Sequence, residues 1–172
     1  ICGYLVRYRS ACIRVRMDKP DYLALPQGDH EWLRLVYGEV KETVPSGLPV
    51  PKGKSVITSI YKDANLYHDM ATGRAVTRVL HYLNKTPIDW FSKKQGTVET
   101  ATYGSEFSAA RTAIEQIDGL RMTLRYLVVP IDGPSYLFGD NGSVVTSSTV
   151  PESQLVKRHH ALSYLYAREV ID

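Results

Sequence analysis

Three acidic residues, Asp63, Glu106 and Asp140, stand out in this chain because each falls where a regular element should begin or end. Asp63 closes the β-rich run S-V-I-T-S-I-Y (55–61), Glu106 lies in the first turn of a long amphipathic helix, and Asp140 follows S-Y-L-F (135–138). If the first and fourth strands are neighbours and the helix packs across them, the three carboxylates converge on one edge of the sheet. Hard divalent cations such as Mg²⁺ take oxygen ligands, a few carboxylates plus waters and phosphates. Two such ions about 4 Å apart are a standard device for in-line phosphodiester hydrolysis. Singly, each residue is an ordinary surface charge or cap. Their joint placement is what points to metal chemistry, and it requires the carboxylates to lie within roughly 4–7 Å of one another.

The elements that must position them follow from the apolar periodicity. Ser55–Tyr61, Ala75–Tyr82 (A-V-T-R-V-L-H-Y) and Ile88–Ser92 read as three short strands joined by turn-prone stretches, an antiparallel meander. From Tyr103 to Tyr126 the period changes: Phe107, Ala110, Ile114, Ile117, Leu120 and Leu124 recur at helical spacing. Thr102 is a natural N-cap for that helix, and Ala109, Ala110 and Ala113 are small enough for it to sit close against a sheet. A fourth strand (135–138), a short helix (142–148) and a closing helical stretch (154–171) complete the order. Upstream, Ile1–Arg9 looks like the tail of a helix. In Ala11–Met17, Ile13, Val15 and Met17 alternate with Arg14 and Arg16, the pattern of a strand with one buried and one basic face. Five prolines punctuate 18–53, and Pro45–Lys54 has the composition of a linker, which places a boundary between segments 1–52 and 53–172.

Composition narrows the class. The 172 residues are 44% hydrophobic and 23% charged, near the globular average, which argues against a disordered, collagenous or coiled-coil chain. No apolar run approaches the roughly 18 residues of a membrane-spanning helix, so no membrane partner is expected. The net charge of +3 permits a nucleic-acid partner without demanding one. Cys2 and Cys12 form no C-x-x-C pair, so they read as packed apolar thiols in a reducing compartment. The chain opens at Ile1 without a signal-like segment, as an excerpt of a longer protein would.

Five stretches, in order, carry a family resemblance: Y-K-D-A-N-L-Y-H-D-M-A-T-G-R (61–74), P-I-D-W-F-S-K-K-Q (87–95), V-E-T-A-T-Y-G-S-E-F-S-A-A-R (98–111), F-G-D-N-G-S-V-V (138–145) and K-R-H-H-A-L-S-Y (157–164). With them the chain resembles the ribonuclease H domain of copia-type LTR retrotransposon polyproteins, preceded by the tail of the reverse transcriptase region. The resemblance implies an α/β ribonuclease H-like fold: a mixed sheet with an antiparallel three-strand meander and flanking helices, here without its last strand. It implies metal-dependent cleavage of the RNA strand of RNA–DNA hybrids during reverse transcription. Asp63, Glu106 and Asp140 are then the ligands of two Mg²⁺ ions, with Mn²⁺ as a substitute. The partners it implies are the hybrid and the reverse transcriptase domain of the same polyprotein. The setting it implies is a cytoplasmic virus-like particle with a nuclear phase.

The chain also departs from that pattern. A fourth carboxylate usual in the family is replaced by Ala161; His159 or His160 could handle the leaving-group proton instead, or both could be helix-surface residues. Arg78 stands mid-strand where a small residue is usual, and Val129 replaces a loop glycine. Lys93, Lys94 and Gln95 after the third strand could touch hybrid backbone, or be a solvated strand end. Arg111 could reach phosphate or pair on the helix surface, and Asp69 could assist the metal site or serve a turn. The tyrosines read as sheet packing, with one or two available to stack on a nucleotide. Asp89 has no assigned role. The departures keep open a second function, a decayed module that binds hybrid or its reverse transcriptase neighbour without cleaving. A nuclease or integrase acting on DNA fits the motif spacing less well.

Overall fold

A computed structural model describes residues 6–25, 35, 36, 38, 44–66, 69–150 and 167. Its described elements run β1 (Thr58–Asn65), β2 (Val76–Leu83), β3 (Thr86–Lys94), α1 (Thr102–Tyr126), β4 (Tyr136–Phe138) and α2 (Gly142–Thr149). The strands form one mixed sheet in the order β3-β2-β1-β4. β1–β2 and β2–β3 are antiparallel, and β1–β4 is parallel. The meander expected from the sequence is therefore present. α1 is the crossover that makes the parallel β1–β4 neighbourhood attainable, since parallel strands cannot be joined by a tight turn.

Strand alternation assigns the faces. Ile60, Lys62 and Ala64 of β1 and Thr77, Val79 and His81 of β2 are buried, and Ile60 and Val79 pack with Ala113 and Ile117 of α1. A second cluster joins Phe107, Ala110 and Ile114 to Val144 of α2 and to Ala167, a helical residue of the closing stretch. The alanines of α1 act as the sequence suggested: Ala109 and Ala113 are fully buried, which brings the helix axis close to the sheet. The opposite face carries aromatic rings. Tyr61 stacks on Phe138 and meets Tyr82 edge-on, while Tyr22 from the upstream segment packs on Tyr136 and Phe138.

Several expectations need correction. Ala11–Met17 is not a strand: Ile13, Val15 and Met17 are all exposed. Alternation states which face a strand would bury but cannot supply a pairing partner. The segment docks instead by hydrogen bonds from Arg16 N to Thr86 Oγ1 (2.7 Å) and from Asn84 Nδ2 to Met17 O (3.3 Å). Cys12 is exposed rather than packed, and Cys2 lies outside the described residues. The N-cap of α1 is Ala101, with no side-chain cap, and Thr102 is the first helical residue.

At the other end of α1, Val129 N bonds to Leu124 O (2.9 Å) and Val128 N to Arg125 O (3.0 Å), the paired bonds of a Schellman motif. That motif needs a left-handed residue, and Val128 supplies it at φ 66°. The glycine-demanding position is thus Val128, one residue before the Val129 singled out from the sequence. A β-branched side chain there is strained.

Two predictions follow from this packing. Val128→Gly should stabilise the fold by about 1 kcal/mol, because it relieves left-handed strain; urea unfolding measures it. His81 is buried, neither ring nitrogen has a hydrogen-bond partner among the described residues, and Nδ1 lies 3.9 Å from Asp89 Oδ2. It lines an open groove with Asp89, Gln116, Leu120 and Thr123. Burial lowers the His81 pKa, against the opposing pull of Asp89. The unfolded chain therefore takes up a proton before the native one does, and stability is lost as pH falls below about 6.5. His81→Phe should flatten the dependence of the unfolding midpoint on pH below that value.

Candidate metal centre

β4 ends at Phe138, opposite Tyr61. Beyond that point the β4 chain leaves the sheet through Gly139 and Asp140 and enters α2 at Asn141, whose side chain caps the helix by accepting from Val144 N (3.2 Å). The residues of β1 past Tyr61 thus face a notch between the two strands rather than a neighbour. Asp63 comes from β1, Glu106 from the second turn of α1 rather than the first, and Asp140 from the loop after β4. Glu106 moves one residue inward, out of the first turn, because α1 begins at its presumed cap, Thr102. One carboxylate oxygen from each of the three lies within 4.8 Å of the others. Glu106 is buried, Asp63 half-buried and Asp140 exposed, so the cluster opens to solvent at one side.

Glu106 is held from two directions. Its Oε1 accepts from Ala64 N (3.1 Å) and its Oε2 from Lys62 Nζ (2.6 Å), an ion pair in which both side chains are 3% exposed. Sequence reasoning passed over Lys62. The signal was there in the alternation, since Lys62 lies between Ile60 and Ala64 on the face turned to α1. Breaking such a buried pair by removing one partner typically costs about 3–5 kcal/mol. Gly139 makes room for it: a Cβ at that position would stand 2.3 Å from Lys62 Cε and 2.9 Å from Nζ. Asp63 alternates to the other side of β1. There it faces its cross-strand partner Arg78, whose Nη1 donates to Asp63 Oδ2 at 3.2 Å. The arginine that looked out of place mid-strand is a neighbour of the first carboxylate.

The remaining sequence candidates divide. Lys93 and Lys94 end β3 at the same end of the sheet as Asp63, Lys93 opposite Thr77 and Lys94 opposite Val76. Lys94 is ion-paired to Asp69, which also accepts from Thr72 Oγ1 (2.5 Å). The Lys94 ammonium, then the Thr72 hydroxyl, holds the Asp69 carboxyl well below the usual range. Asp69 therefore ties the β1–β2 connection to β3 and is not one of the clustered carboxylates. Gln95 is inside the protein: its Nε2 donates to Thr77 Oγ1 (3.0 Å) and Ser105 O (2.8 Å), bracing α1 against β2. Arg111 pairs with Glu115 on the surface of α1 (2.9 Å). His159, His160 and Ala161 lie outside the described residues.

With this geometry in hand, similarity to known proteins gives it a context. The chain is 28% identical over 153 residues to a retrovirus-related Pol polyprotein from transposon RE2 of Arabidopsis thaliana. It is 24% identical over 152 residues to the corresponding polyprotein from transposon RE1 of the same plant. It is a relative of retrotransposon Pol polyproteins. Each alignment takes in 87% of this chain and 10% of the polyprotein, so the chain spans about a tenth of the length of these relatives. No protein-family model and no solved structure matches the chain.

The Gly139 contact generates a test. Gly139→Ala should destabilise by about 2 kcal/mol, because Lys62 is pinned at Glu106 and cannot yield to the new methyl group. In a Lys62→Ala background the same change should cost close to nothing. A double-mutant cycle of urea midpoints reads the coupling.

Proposed function

We propose that this segment of a Pol-like polyprotein is a ribonuclease H-like domain that cleaves the RNA strand of RNA–DNA hybrids with divalent metal. The convergence of Asp63, Glu106 and Asp140 to within 4.8 Å carries the reading. It is supported by the order of the mixed sheet and by the similarity to Pol polyproteins. The donor set fits the metal: three carboxylates from three separate elements offer only oxygen, as Mg²⁺ or Mn²⁺ requires. Asp63, Glu106 and Asp140 would hold the ions, which when bound activate a water for attack on an RNA phosphate and stabilise the leaving oxygen.

The rest of the work falls to the chain itself. Ala64 N–H fixes the Glu106 carboxylate, and the Asn141 cap fixes the start of α2 just after Asp140. The first contact holds a carboxylate directly, and the second fixes the backbone that follows Asp140. Lys93, exposed at the end of β3, is placed to meet hybrid backbone beside the acidic notch. Residues 1–52 are then the end of the reverse transcriptase segment, with Tyr22 and Lys19 seating it on the sheet and on Asp132.

One observation favours a second reading, a module that binds hybrid without cutting it. Two of the three carboxylates already have cationic partners, Lys62 and Arg78.

Cleavage of an end-labelled RNA–DNA hybrid in Mg²⁺ and in Mn²⁺ separates the two. The enzyme reading expects cutting of the RNA strand that stops in chelator and falls at least about a hundredfold in Asp140→Asn. Binding that is equal in metal and in chelator, with no cutting in either ion, would establish the binding module instead.

A further inference from the structure

The geometry points to Lys62 as a resident counter-ion of the carboxylate cluster, one that a divalent cation must displace from Glu106 before it can bind there. This inference rests on the metal-site reading above and adds a residue to it. Three observations carry it. Lys62 Nζ lies 2.6 Å from Glu106 Oε2, and the other oxygen of Glu106 is already taken by Ala64 N–H. Each Glu106 oxygen therefore already accepts one donor, and a cation that reaches Oε2 must share that oxygen with the ammonium. Both side chains are 3% exposed, so the pair is shielded from water and its attraction is weakly screened. The lysine stem runs against Gly139, immediately before Asp140, where any side chain would collide with it. The ammonium is thus delivered from β1 through the floor of the cluster, close to the backbone of the third ligand.

A divalent cation at Oε2 would stand within contact distance of the ammonium, and like charges repel strongly in a water-poor site. Arg78 does not impose the same cost. Its contact with Asp63 is exposed on both sides, where solvent can take over either partner. Lys62 is a positioning residue in this scheme: it keeps Glu106 in place when no metal is bound, and it sets the metal concentration at which the cluster fills. The metal-loaded state then requires the Lys62 side chain to swing away from Glu106.

The test uses the full 172-residue chain and Mn²⁺ as the probe, read by the paramagnetic resonance signal of the free ion. Lys62→Ser and Lys62→Gln should bind Mn²⁺ about tenfold more tightly than the wild type, since neither carries the competing charge. Affinity that is equal or weaker in both would overturn the inference. Asp140→Asn in the Lys62→Ser background should abolish the gain, which ties it to this cluster. A second measurement needs no variant. Acetylation of Lys62 by acetic anhydride, followed by mass spectrometry, should be slow in chelator and several-fold faster in saturating Mn²⁺ as the ammonium is expelled. A labelling rate indifferent to Mn²⁺ would sink the idea even if the variants fail to fold. Wild-type binding that Lys62→Ser leaves unchanged removes the role of Lys62 but keeps the metal site. No uptake of Mn²⁺ by either protein removes both.

Discussion

The contact between Lys62 Nζ and Glu106 Oε2 joins β1 to α1 inside the protein, and the arrangement of the acidic residues depends on it. A carboxylate buried on a helix needs a donor or a counter-charge, because desolvation of an uncompensated ion costs several kcal/mol. Here the strand supplies both, the ammonium of Lys62 and the amide of Ala64, from positions on either side of Asp63. Glu106 is thereby docked on the same strand that carries the first carboxylate. Gly139 completes the constraint from the side of β4, since only a residue without Cβ lets the lysine stem pass. Three elements far apart in the chain are held in register by one charged side chain and the space left for it.

The helix–sheet packing sets the scale on which this can happen. Ala109, Ala110 and Ala113 are small and buried, and Ala113 packs on Ile60 of β1, so α1 approaches the sheet closely enough for Glu106 to reach the backbone of Ala64. Gln95, just after β3, braces the same helix against β2 by bonding to Thr77 Oγ1 and to Ser105 O, in the turn that leads into Glu106. The early departure of β4 after Phe138 then opens the notch into which Asp140 projects. Position and chemistry are separable here. The fold brings the oxygens together, while the electrostatic partners of each oxygen decide how readily a cation can enter.

Those partners differ across the cluster. Asp63 faces Arg78 where solvent competes for both groups, and such a pair is worth at most about 1 kcal/mol. Glu106 faces Lys62 where solvent is excluded. The resemblance to ribonuclease H domains and the similarity to Pol polyproteins agree on the context of the chain. Within that context, the buried lysine sets the local electrostatics of the cluster.

Much of the framework was legible in the amino-acid sequence. Local periodicity located the three meander strands, the long helix, the fourth strand and the short helix, because 2-residue and 3.6-residue repeats are written directly in side-chain polarity. It also brought forward Asp63, Glu106 and Asp140, whose types and element-end positions suit oxygen-ligand chemistry. Tertiary structure decided the rest. It left Ile13, Val15 and Met17 exposed, since alternation cannot provide a partner strand. It turned Gln95 inward to bind two backbone-linked elements, and it placed left-handed strain at Val128 rather than at its neighbour. Above all it made Lys62 a cluster residue. A lysine in a strand reads as solvent-facing until the strand's inward positions are matched to a buried carboxylate on a helix 44 residues away. That match is a matter of long-range geometry, which no local pattern encodes.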